Sequence, residues 1–167
     1  MAIIETHLYS QILSYEIPDS IAALAFSVYG FASIAGSLTS GFLSNRLPMK
    51  YVVGTLYGSR VVWVLAFLLL PKTTPVVFAY LIVLGLTGGS TVTPTSGLVR
   101  RFFGSQNLAT LFGIVFVSHQ CGSFFSAWLG GKCVEMTGSY TLIWLAGAVL
   151  SFIAMMVSYQ IQESDAH

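Results

Sequence analysis

Hydrophobic positions along this chain neither alternate nor form narrow stripes. They run in five nearly unbroken blocks separated by short polar or turn-forming segments. A helix needs about 20 mostly apolar residues to cross a hydrocarbon core of about 30 Å. The blocks Ser20–Leu43, Tyr51–Leu70, Pro75–Gly97, Leu108–Gly130 and Tyr140–Ile161 meet that requirement. The pattern predicts an all-α, polytopic membrane protein with five transmembrane helices. The connections carry turn chemistry: Pro48, Pro71 to Pro75, Phe103 to Asn107, and Thr137 to Ser139. Pro75 suits the first turn of a helix, where a missing N–H costs nothing.

Composition strengthens this reading. The chain has 167 residues, 55% of them hydrophobic and only 8% charged. Soluble domains carry about 25% charged residues, so a soluble fold could not cover this much apolar surface. A net charge of +1 without a basic stripe excludes a nucleic-acid partner. Cys121 and Cys133 are twelve residues apart. On one helix that is roughly 18 Å, whereas a disulfide needs Cα atoms within about 7 Å. No metal-ligand spacing, phosphate-binding loop, nucleophile–base pair or paired carboxylates occur, so neither a metal, a cofactor nor enzyme chemistry is expected. The first residues lack the basic region and cleavage site of a signal peptide.

Lys and Arg set the expected orientation. Arg46, Lys50, Arg100 and Arg101 fall on one side, Lys72 and Lys132 on the other. The first side is then cytoplasmic, with residues 162–167 as a cytoplasmic tail and the segment before Ser20 outside. Met1–Tyr15 is partly apolar but too short and too polar to span, with Glu5 and His7 inside it. It reads as the outer end of a helix whose inner part is absent. The expected organisation is a truncated helix end and outer loop over 1–19, and a five-helix membrane domain over 20–161.

Between helices in lipid, close packing through small residues replaces the hydrophobic effect. Ala32-Gly36-Ser40, Ser33-Ser37-Gly41, Gly85-Gly89-Thr93-Gly97 and Gly122-Ser126-Gly130 repeat at four-residue spacing, so each lies on one helix face. Tight static packing is the plain reading, and a sliding interface the functional one. Pro94 interrupts the third span: it removes a backbone bond to Ser90 and presses on that carbonyl. Such a break is either a packed kink or the lining of a polar cavity.

Arg60 and His119 are the ionisable side chains set deep within spans, each about 14–16 Å from a helix end. An Arg there costs about 3 kcal/mol on insertion scales and must find acceptors. Carbonyls, hydroxyls, an anionic solute or an acid elsewhere could serve, for no acidic residue shares its depth. His119 is followed by Gln120, with Ser123 and Ser126 further along its face, an arrangement suited either to an interhelical hydrogen bond or to a cavity. Imidazole could also couple solute movement to protons.

The junction Gly41-Phe-Leu43-Ser-Asn45-Arg46-Leu-Pro-Met-Lys50 resembles the second copy of the major facilitator signature G-x-L-x-D-R-x-x-x-[RK], found between helices 8 and 9 of that superfamily. Thr93-Pro-Thr-Ser-Gly-Leu-Val99, Phe112-Gly-Ile-Val-Phe116, His119-Gln120 and Ala127-Trp-Leu-Gly-Gly131 are similar to a bacterial branch near the monocarboxylate and oxalate/formate carriers. The resemblance implies that the chain corresponds to the end of helix 7 plus helices 8–12 of a twelve-helix fold. It further implies a fragment of a secondary transporter that moves a small solute by alternating access, in a bacterial inner membrane. Its partners would be the lipid bilayer, the solute, with proton coupling an option, and an N-terminal half. Gly41, Asn45, Arg46 and Lys50 would form the gating loop, with Asn45 in place of the usual acid. His119 and Gln120, on helix 11, become the first candidates for solute binding, followed by Thr91 and then Arg60, whose helix 9 is peripheral. The absence of an Arg on helix 8 weighs against an organic-anion solute. The alternative is a non-transporting membrane subunit, or the remnant of a truncated gene.

Overall fold

The computed structural model describes residues 18–163 apart from residue 72. Its elements are α1 (Asp19–Ser44), α2 (Met49–Leu69), α3 (Thr74–Gly88), α4 (Val92–Phe103), α5 (Leu108–Thr137) and α6 (Thr141–Tyr159). A short 3-10 turn, Gly89–Thr91, joins α3 to α4 within a single 30-residue span. Five helices are thus long and apolar enough to cross a membrane. Where water cannot reach the backbone, the helix is the way an apolar block satisfies its own N–H and C=O groups.

Two spans run further than hydropathy predicts. The third continues to Phe103 rather than Gly97, and the fourth to Thr137 rather than Gly130. Apolar character fades at Arg100, Arg101, Lys132 and Glu135, but the backbone ladder does not depend on it. Arg100 and Arg101 occupy the last turn of α4, where cations favour the negative end of the helix dipole. Lys132 lies on α5 with its ammonium 5.6 Å from the Trp128 ring centroid. Glu135 stands in the last turn of α5. Both helices stop at glycines with positive φ, Gly104 at 77° and Gly138 at 63°, conformations that cost a residue with a Cβ. The expected helix end within 1–19 lies outside the described residues, except for Pro18 and Asp19.

The first seam joins α1 to the third span. A Cβ added at Gly36 would collide with the Leu86 carbonyl, and one at Gly85 would sit 2.5 Å from the Tyr29 carbonyl. One at Gly89 would meet the Ser33 hydroxyl at 3.0 Å. The small stripes of the first and third spans are therefore two sides of one backbone-to-backbone contact. The stripe predicted on the fourth span behaves differently. Nothing lies within 4 Å of a Cβ at Gly122, and Gly130 is the buried residue of α5. The sequence reading also missed a second seam. A Cβ at Gly54 would sit 2.6 Å from the Tyr159 ring, and one at Gly58 would sit 2.8 Å from the Met155 sulfur. This Gly-x-x-x-Gly pair packs α2 on α6, its most extensive partner.

Phe67, Tyr80 and Trp144 lock α2, α3 and α6 together at one end of the bundle, with ring centroids 4.3, 5.1 and 5.4 Å apart. Such pairs add about 0.5–1.5 kcal/mol each beyond area burial. Glu163, just past α6, fastens the other end. Its carboxylate accepts the Lys50 backbone N–H at 2.5 Å and the Arg101 Nη1 at 3.0 Å, with the side chain only 4% exposed. Pro48, the residue before α2, offers no capping side chain. Glu163 thus caps α2 from across the molecule, and brings the start of α2 to the ends of α4 and α6.

Candidate functional site: a polar cavity at the break in the third span

The site grows from Pro94. Without an N–H it cannot donate to Ser90, and its ring crowds that carbonyl. The chain answers with the 3-10 turn Gly89–Thr91, a tighter winding used for one turn at a time. Nearby hydroxyls serve the exposed carbonyls: Ser90 donates to Leu86, Thr87 to Val83 at 2.9 Å, and Thr95 to Thr91 at 2.6 Å. Pro94 itself is fully buried. The kink is therefore packed on one side, and its other side faces a cavity of about 420 Å³.

Four spans line that cavity. Tyr29 and Ser33 come from α1, Tyr57 from α2, and Gly88, Gly89, Thr91, Val92 and Thr95 from the broken span. Phe112, Val115, Phe116 and His119 come from α5. The wall thus combines hydroxyls, two phenylalanine rings and one imidazole, and none of its lining residues is a Lys, Arg, Asp or Glu. The Phe116 and His119 rings stack at 6.2 Å. With its Nδ1 protonated, His119 donates to Gln120 Oε1 at 3.3 Å, which leaves Nε2 as an acceptor in the neutral ring. Among the described residues, no cluster of three or more His, Cys, Asp or Glu could hold a metal ion.

The structure brings together two of the four predicted binding residues, His119 and Thr91. Gln120 touches His119 but is not part of the wall. Ser123 and Ser126 donate to carbonyls of their own helix, of His119 and Ser123, both at 2.9 Å, rather than across the cavity. Arg60 is not in the wall either. It is 3% exposed, and its Nη2 donates to the carbonyls of Thr87 and of Gly88, the latter at 2.8 Å. Charge-assisted hydrogen bonds contribute about 1.5–3 kcal/mol each, enough to offset an insertion cost of about 3 kcal/mol. Carbonyls are thus among the acceptors that serve it.

Tyr29, Tyr57, Thr95, Phe112 and Phe116 are among the lining residues that sequence reasoning did not single out for the site. Phe112, Phe116 and His119 follow at i, i+4 and i+7, one face of a helix. On a helix apolar all round, that spacing does not separate a cavity face from a lipid face.

The signature-loop residues gather at the basic end. Gly41 and Asn45 line a groove of about 830 Å³, with Ser44, Ser96, Arg100 and Arg101 also on its walls. The Arg46 guanidinium lies over the Phe42 ring at 4.4 Å, and the Lys50 ammonium over Tyr51 at 5.2 Å. Asn45 supplies no carboxylate to the loop; Glu163 brings one to Lys50 instead.

Comparison with known proteins agrees with this architecture. The family model described as Major Facilitator Superfamily matches residues 3–166. The chain belongs to the major facilitator superfamily. Among curated members, mouse monocarboxylate transporter 12 is 27% identical over 88% of this chain and 31% of its own length. Human monocarboxylate transporter 12 is 26% identical over 88% of the chain and 29% of its own length. The uncharacterized MFS-type transporter YhjX of Escherichia coli K12 is 30% identical over 61% of the chain and 25% of its own length. The chain spans less than a third of the length of each of these superfamily relatives. No solved structure matches at comparable significance. Superfamily membership and five apolar helices together make this an integral membrane protein.

Proposed function

We propose that the chain is part of a secondary transporter that moves a small solute by alternating access, with the 420 Å³ cavity as its share of the solute site. The observation that carries this reading is the polar face at mid-depth on α5. His119, which lines the cavity, and Gln120 beside it lie exposed near the middle of α5, about 16 Å from its start, where lipid would leave polar groups unsatisfied. Such a face needs water or further protein, and a cavity completed by additional helices supplies both. The corresponding region would be helices 8–12, with the basic end and the C-terminus on the cytoplasmic side of a bacterial inner membrane. The solute has a hydrogen-bonding head for the hydroxyls and imidazole, and an apolar body for Phe112 and Phe116. Relatives named monocarboxylate transporters fit such a solute. A carboxylate head would draw on a protonated His119, the one side chain on the wall that can carry a positive charge, and this would couple uptake to protons.

Labelling tests the cavity. In a background of Cys121→Ser and Cys133→Ser, Thr91→Cys should react with a membrane-impermeant maleimide in intact membranes. Val62→Cys, on an apolar face at 64% exposure, should not. In the complete carrier, His119→Ala should abolish solute uptake while the protein level holds. An unlabelled Thr91→Cys removes the aqueous cavity, and unchanged uptake kinetics remove His119 from the site.

A further inference from the structure

Arg60 is a buried charge to which the solute site gives no direct task. It sits on α2, yet both carbonyls it is seen to hold belong to the end of α3, where the third span breaks. In an unbroken helix the Thr87 carbonyl would receive the Thr91 N–H. The 3-10 turn over Gly89–Thr91 shifts each donor by one residue, so Thr91 serves Gly88 and Val92 serves Gly89, and Thr87 loses its donor. Arg60 supplies one to Thr87 and adds a second to Gly88. Its guanidinium also lies 5.1 Å from the centroid of the Tyr57 ring, one turn earlier on α2. Gly88 and Tyr57 both line the cavity, whereas Arg60 does not.

We propose that Arg60 is a positioning residue: its guanidinium holds the break in the third span open and sets the polar wall of the cavity through Gly88 and Tyr57. The inference rests on the reading of that cavity as the solute site. Three features of the group suit the task. Its charge is fixed at any physiological pH. Its Nη2 serves two neighbouring carbonyls while its Cζ lies over an aromatic ring. The carbonyls it meets terminate α3, the end of a helix that carries partial negative charge. Lysine offers the charge and a donor, but not the flat fork. Methionine offers only the volume of the stem.

The test uses N-ethylmaleimide labelling rates in the complete carrier, in membranes, with Cys121 and Cys133 replaced by serine. Thr91→Cys reports on the broken span, and Phe116→Cys reports on the opposite wall. Arg60→Met should change the Thr91→Cys rate at least fivefold and leave the Phe116→Cys rate within twofold. Arg60→Lys should restore part of the difference. Equal rates at Thr91→Cys in native and Arg60→Met proteins would overturn the proposal, as would equal changes at both reporters, which indicate general loosening. Should Arg60→Met fail to accumulate, Arg60→Lys decides alone: a native Thr91→Cys rate overturns the proposal, and an altered rate confined to that reporter supports it. If Thr91→Cys is unreactive even with Arg60 in place, the cavity reading has failed, an outcome distinct from an Arg60-insensitive rate.

Discussion

At the scale of single residues, this chain is held by what its side chains lack. Gly36 and Gly85 let the backbones of α1 and the third span touch, and a methyl group at either position has no free space. Gly122, on a stripe of the same spacing, has open space around it. Spacing alone therefore could not rank these glycines: four-residue repeats put small residues on one face but do not say whether that face meets a helix. The structure makes the ranking testable. Gly36→Ala should destabilise the chain by about 1–3 kcal/mol, the usual cost of overpacking a filled contact. Gly122→Ala should stay within about 0.5 kcal/mol, as open positions do. Thermal unfolding of both variants of this chain in one detergent gives the comparison. Equal losses at the two positions would show that the seam is not the contact described here.

At the scale of elements, helices that are apolar all round must be fastened at their ends and breaks by a few polar groups. Glu163 does this at the basic end, joining the first turn of α2 to the last turn of α4. Arg101 is 27% exposed, so solvent weakens its part of the contact, while the carboxylate is almost fully covered. Glu163→Gln should cost about 1–2 kcal/mol, most of it from the weakened cap on α2. In a double-mutant cycle, Arg101→Met and Glu163→Gln should couple by less than about 1 kcal/mol, as partly exposed ion pairs do. A coupling as large as the whole Glu163→Gln effect would assign the contact to the ion pair rather than the cap. This clasp was not legible beforehand. Glu163 reads as part of a polar tail, and nothing near it in sequence says that it folds back on Lys50. The break in the third span was legible, because Pro94 acts on its own helix. Its consequence for Arg60 was not, since that partner lies on a different span.

At the scale of the whole molecule, the number of spans followed from hydropathy, while their sidedness in the bundle did not. Hydropathy measures how apolar a block is, and a face turned to lipid is as apolar as a face turned to another helix. The seam through Gly54 and Gly58 and the cavity face at Phe112, Phe116 and His119 were both hidden for this reason. α5 makes the difficulty plain. It is the least covered of the five spans, and it carries His119 and Gln120 exposed at mid-depth. If lipid covers this face, Gln120 is a liability everywhere. If further helices and water cover it, Gln120 is costly only when the chain stands alone. Gln120→Leu separates the two cases by sign. It should raise the membrane yield of this chain expressed by itself, since an exposed polar group in hydrocarbon is unfavourable. In the complete carrier proposed above it should lower solute uptake severalfold, because it removes the Gln120 Oε1 that lies 3.3 Å from His119 Nδ1 and that, with Nδ1 protonated, holds the neutral ring with Nε2 as its acceptor. A gain in yield with unchanged uptake would place the α5 face against lipid and take both residues out of the solute site.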